Sequence, residues 1–140
     1  MINKENIRVQ VMASGWKDAV REAGQLLVSA KSATNEYTEA MISAIEELGP
    51  YIVILPGLAI AHAASDETVL KNDIALITLK EGVEFGCAND PVYIILCLCC
   101  TDIKTHQASL KQIAKRMLNE TVLGRIKCAG SVDEVVASLS

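Results

Sequence analysis

Gly49-Pro50-Tyr51-Ile52-Val53-Ile54-Leu55-Pro56-Gly57-Leu58-Ala59-Ile60-Ala61-His62-Ala63 is the stretch on which the reading of this chain turns. Tyr51 to Leu55 is a continuous apolar run and reads as a strand. Gly49 and Pro50 end the helix that precedes it, and Pro56-Gly57 breaks the strand. One of only two histidines stands beyond that break, among Ala59, Ala61, Ala63 and Ala64. Such small side chains leave little bulk around the imidazole, so a large protein surface can approach it closely. Imidazole titrates near neutrality and is nucleophilic without strong activation. The alternative for His62 is structural: a ring that closes a strand end and satisfies a backbone carbonyl.

Outward from this stretch, strands alternate with helices. Ile7 to Val11 alternates apolar and polar residues, as a half-buried strand does. Ser14 is placed to cap a helix in which Trp16, Val20, Ala23, Leu27 and Val28 recur at helical spacing. Thr34 or Asn35 opens a second helix with Tyr37, Ala40, Met41, Ala44, Ile45 and Leu48 on one face, ended by Gly49. Ile74 to Leu79 and Val92 to Cys99 read as two more strands. The Gly-, Asn-, Asp- and Pro-rich segment between them reads as a loop, with a short edge hairpin at Val83-Glu84-Phe85. From Asp102 to Asn119 the helical period returns, with Leu110, Ile113, Ala114, Met117 and Leu118 as its buried stripe. Thr121 to Lys127 adds a short turn, and Ser131-Val132-Asp133-Glu134 is a capping box that opens a last helix. The pattern predicts one α/β domain over residues 1–140, a mixed β-sheet with helices packed on both faces.

Composition agrees. The chain has 140 residues, 51% of them apolar and only 4% aromatic, enough for a core without covalent staples. A formal charge of −4 and a pI near 5.2 argue against a nucleic-acid surface, because no basic stripe is present. No export signal is visible, and no apolar run approaches the ~20 residues of a membrane-spanning helix. The chain therefore reads as cytoplasmic, with no direct membrane insertion. Five cysteines, an odd number, do not suggest a disulfide framework. Cys97-Leu98-Cys99-Cys100 contains a Cys-x-x-Cys, but residues three apart on a strand face opposite ways. These thiols read as reduced core residues.

The segment around His62 resembles the phospho-acceptor site of enzyme IIA of the mannitol–fructose class in the bacterial sugar phosphotransferase system. Members carry Pro-Gly-x-Ala-x-x-His-Ala, and this chain matches it from Pro56 to Ala63. The Gly-Pro-Tyr-Ile-Val-Ile lead-in and the alanine before the histidine look most like the ascorbate-type branch. Asn89-Asp90-Pro91-Val92 matches a motif that introduces the following strand in this family. Asp102, His106 and Leu110 match its Asp-x-x-x-His-x-x-x-Leu context position by position. On spacing alone, His106 shares the core-facing stripe of its helix and is either a partly buried structural residue or a second site residue.

The resemblance implies a phosphotransferase with a phosphohistidine intermediate. HPr would phosphorylate His62, and His106 would support the phosphoryl group. The phosphate would pass to a cysteine of a cognate enzyme IIB, and through it serve a membrane enzyme IIC in sugar uptake. No metal or organic cofactor is implied, and the oligomeric state stays open. The chain departs from the pattern in two places. Glu46-Glu47 stands where mannitol-type members have an arginine, and Ala64-Ser65 stands where many have arginine or glycine. No arginine occurs between Arg21 and Arg116, so the phosphate donors would be backbone amides such as that of Ala63, the Ser65 hydroxyl, or His106. Two other functions fit the same residues: a regulatory domain read through the phosphorylation state of its histidine, and a small-molecule binding domain with its pocket at the two histidines.

Overall fold

The computed structural model describes residues 2–140. After a 3-10 turn at Lys4–Asn6 the chain runs β1 (Ile7–Val11), α1 (Trp16–Ser29), α2 (Asn35–Leu48), β2 (Val53–Leu55), β3 (Leu58–Ala61), β4 (Asp73–Val83), β5 (Val92–Cys99), α3 (Ile103–Met117), α4 (Glu120–Cys128) and α5 (Val132–Leu139). The five strands form one sheet in the order β1-β4-β5-β3-β2. The β1–β4 and β3–β5 pairs are parallel, and β4–β5 and β2–β3 are antiparallel. The sheet is mixed, as expected.

Side chains divide by strand alternation. Ala59, Ala61, Ala75, Ile77, Ile95, Cys97 and Cys99 pack under α1 and α2, with Val20, Ala23, Leu27, Tyr37 and Met41. Leu58, Ile60, Leu76, Ile94, Leu96, Leu98 and Cys100 face the other way, against Ile113 and Met117 of α3, Ile126 of α4, and Val135 and Leu139 of α5. Helices thus cover both faces. Within the first layer, α1 and α2 meet at Gly24, where an added Cβ would lie 2.5 Å from Thr38 Oγ1. Only glycine allows that approach.

Four local expectations are corrected. The small-residue run after Pro56-Gly57, to which the sequence pattern assigns no element, is a buried strand and the fifth of the sheet. Leu55 pairs with Leu58, so Pro56-Gly57 is the two-residue turn of a β2–β3 hairpin. Gly57 has φ +80°, the conformation that a Pro-Gly type II turn demands of its second central residue. Second, Val83-Glu84-Phe85 forms no hairpin of its own. Val83 ends β4 and pairs with Val92, and the Asp90 carboxylate closes the loop by accepting the amides of Phe85, Gly86 and Cys87. Third, α1 starts one residue later than a Ser14 cap would place it. Gly15 is its N-cap, and the Ser14 amide donates to Asp18 Oδ2 at 3.0 Å. Fourth, Leu48 and Leu118 lie exposed at their helix ends, where the stripe has rotated off the core.

Candidate functional site

The site sits where β3 and β5 end side by side. The strands are parallel, with Ala61 beside Cys97, so their carboxyl ends share one edge of the sheet. Open α/β sheets bind ligands beyond such ends. His62 follows directly on β3. Beyond β5 the chain turns at once into α3. Asp102 caps that helix, its carboxylate accepting the Thr105 amide at 2.7 Å and the Thr105 hydroxyl at 2.8 Å. These bonds to Thr105 hold the Asp102 carboxyl below the usual carboxylate range, so the cap stays ionised at neutral pH. His106 lies one turn into α3. The two imidazoles face each other with ring centroids 5.1 Å apart.

The rings differ in what holds them. His62 Nδ1 lies 2.9 Å from the Ile60 carbonyl. A carbonyl only accepts, so Nδ1 carries the proton and Nε2 keeps its lone pair. The Tyr51 ring stands edge-on to the same imidazole, centroids 5.5 Å apart. Its hydroxyl reaches the His62 carbonyl at 3.5 Å. His106 Nδ1 is buried with no hydrogen-bond partner among the described residues. Desolvation, and secondarily the neighbouring His62, lowers the pKa of His106 below the ordinary histidine value. His106 is therefore mostly neutral at pH 7.

The phosphate-site candidates beside His62 fare unequally. The Ala63 amide donates to Tyr37 Oη at 3.0 Å, so it is not a free donor. Ser65 lies partly buried in the segment beyond, and among the described residues no backbone bond engages the amides of Ala64 and Ser65. Tyr37 and Tyr51 are the neighbours that sequence reasoning did not place here. Tyr37 read as one more apolar residue on the stripe of α2. Its hydroxyl was the available signal, because a buried tyrosine needs a partner that leucine or phenylalanine does not.

Residues 1–140 match the family described as phosphoenolpyruvate-dependent sugar phosphotransferase system, EIIA 2. The chain belongs to this family. It is 36% identical over 138 residues to the ascorbate-specific PTS system EIIA component of Shigella boydii, covering 97% of this chain and 90% of that one. The Escherichia coli K12 protein of the same description is 35% identical with the same coverage. Among solved structures, the crystal structure of mannitol IIA from E. coli superposes with a TM-score of 0.88 at 26% identity, covering 100% of this chain and 99% of that one. The complex of E. coli mannitol IIA with phosphorylated mannitol IIB matches at a TM-score of 0.86 and 26% identity, over 99% and 96% of the two chains. The expected family, mixed-sheet fold and phosphotransferase class are thereby established. Among the described residues no helix is long and apolar enough to cross a membrane.

Proposed function

We propose that residues 1–140 act as one cytoplasmic phosphocarrier domain, in which His62 Nε2 accepts a phosphoryl group from phospho-HPr and passes it to a cysteine of enzyme IIB. The observation that carries the reading is the pairing of the two imidazoles at the ends of parallel strands, with His62 Nδ1 tied to its own backbone. The Nε2 lone pair attacks phosphorus. The P–N bond to the donor imidazole breaks, and its electron pair returns to the donor. Transfer onward reverses these roles: a thiolate of enzyme IIB attacks, an S–P bond forms, and the electron pair returns to Nε2. Nδ1–H remains on Ile60 throughout, so the nucleophile keeps one tautomer.

His106 is the supporting group. A proton on its Nδ1 would be a buried donor without a partner, which folded proteins rarely tolerate. The Nε2–H tautomer avoids this and leaves a donor for a phosphoryl oxygen. The free amides beyond Ala63 and the Ser65 hydroxyl add donors where the family's arginines are missing. The ascorbate-specific relatives support an ascorbate-like sugar acid as the solute carried by the cognate membrane enzyme IIC. The complex of the mannitol proteins supports enzyme IIB as the acceptor.

Incubation with phosphoenolpyruvate, enzyme I and HPr should add one acid-labile, base-stable phosphate. His62→Ala should abolish it, and full labelling of that variant removes the assignment. His106→Ala should fold, still accept phosphate, and transfer more slowly by a factor of about 10²–10⁴, the range for a positioned acid–base or electrostatic group.

A further inference from the structure

The parallel β3–β5 ladder stops one rung short of where its register would carry it, and a side chain occupies the missing rung. In a parallel pair, alternate residues of one strand make both bonds to the neighbour. Here the odd-numbered residues bond toward β5: the carbonyl of Gly57, just before β3, accepts from Tyr93 at 2.9 Å and Ile94 at 3.1 Å, whereas the Ile60 amide bonds outward to the Ile52 carbonyl. Extending the register from Ala61 beside Cys97 puts Ala63 beside Cys99, and the next ladder bond would run from the Ala63 amide to the Leu98 carbonyl. That bond is not made. The Ala63 amide donates instead to Tyr37 Oη at 3.0 Å, and Tyr37 Oη donates to the Leu98 carbonyl at 2.6 Å. One hydroxyl thus bridges the two groups that would have closed the rung.

We propose that Tyr37 is a positioning residue for phosphoryl transfer, its hydroxyl holding the sheet open by one rung so that His62 leaves the ladder at a fixed offset from His106. The stoichiometry suits the task. A phenol has one proton to donate and lone pairs to accept, and both functions are used. Tyr37 is 1% exposed, and burial raises its pKa well above the ordinary tyrosine value, so the hydroxyl stays protonated at any working pH. The anchor is rigid as well as polar, because the ring belongs to the buried face of α2 beside Met41. His62 is the residue between the last closed rung and the spaced one. Its ring direction therefore depends on how far Ala63 stands from Leu98. The inference rests on the acceptor reading above, and its consequences are partly independent of it.

Tyr37→Phe keeps the ring and removes the spacer. The Ala63 amide and Leu98 carbonyl are then free to pair directly, which draws His62 toward the sheet. Displacing a reacting group by about 1 Å costs on the order of 10²-fold in rate. At saturating phospho-HPr, Tyr37→Phe should transfer about 10–100-fold more slowly, with the KM for phospho-HPr within about threefold of the parent. Nitrogen NMR should show shifted His62 and Ala63 signals, and exchange of the Ala63 amide with solvent should change. Ala63→Pro removes the donor on the other side of the hydroxyl, outside the buried core, and should show a comparable loss of rate. A merely structural tyrosine would lower the urea midpoint and leave the folded protein's rate and His62 signals unchanged. Parent-like transfer by folded Tyr37→Phe, or by Ala63→Pro, overturns the role. If the parent chain takes no phosphate on His62, the acceptor reading has failed. The amide and imidazole signals then still decide whether Tyr37 sets the rung.

Discussion

His106 is the residue whose environment has the clearest consequence in solution. Its pKa is lowered by burial and, to a smaller degree, by His62. The unfolded chain therefore binds a proton at higher pH than the folded one. Stability from keeping this ring neutral is fully present above the unfolded value near 6.5, and is lost as pH falls through the lower folded value. His106→Gln removes the titration without changing the ring's neighbours greatly. The difference in urea midpoint between the parent and His106→Gln should be constant above about pH 7 and should shift against the parent below about pH 6. A difference independent of pH from 5 to 8 would show that His106 titrates alike in both states. At this scale the two histidines were legible in the sequence because each lies in a short, chemically distinctive context. Tyr37 was not, because α2 spacing explains its burial and says nothing of where its hydroxyl goes.

Among the elements, β3 shows where pattern reading gives out. Leu58-Ala59-Ile60-Ala61 has two alanines, which are poor strand formers in isolation. The run is a strand because of its neighbours. It is paired on both sides, with Ala59 and Ala61 under the α1–α2 layer and Leu58 and Ile60 against the α3 side. That context is tertiary, and no local window contains it. Strand β5 was read correctly, and so was the facing of its thiols. Cys97 lies under α2, its Sγ 3.9 Å from Met41 Sδ, while Cys100 packs on the opposite face. Burial raises all three thiols, Cys99 up to about 12, so none supplies a thiolate at pH 7. Replacing Cys97, Cys99 and Cys100 together with alanine or valine should cost about 1–3 kcal/mol by altered packing. The folded variant should accept phosphate and pass it on at the parent rate. Lost transfer with intact folding would bring β5 into the chemistry.

Across the whole molecule, the two-layer plan was legible and the order of strands was not. Continuous apolar runs at Ile74–Leu79 and Val92–Cys99 announce a sheet covered on both sides, and the helical stripes announce what covers it. Pairing of β1 with β4 joins Ile7 to Leu76, a separation that periodicity does not encode. The same topology has a thermodynamic consequence. Among the described residues the α1–α2 core and the α3–α5 core are separate clusters with the sheet between them, yet every interior strand contributes side chains to both. Removing the α1–α2 layer exposes Ile77 and Ile95, and removing the α3–α5 layer exposes Leu76 and Leu96, all four fully buried, so neither core should survive alone. Trp16, the only tryptophan, reports on the first layer through its contact with Phe85, ring centroids 5.6 Å apart. Met117, 0% exposed, belongs to the second. Met117→Ala should cost about 2–5 kcal/mol, a large share of the ~5–15 kcal/mol that holds a domain folded. If the sheet couples the layers, this variant should lower the urea midpoint of Trp16 fluorescence and of far-ultraviolet helix signal by the same amount, in one coincident transition. A Trp16 transition that stays at the parent midpoint while helix signal is lost earlier would show that the α1–α2 layer and its face of the sheet fold without the layer that carries His106.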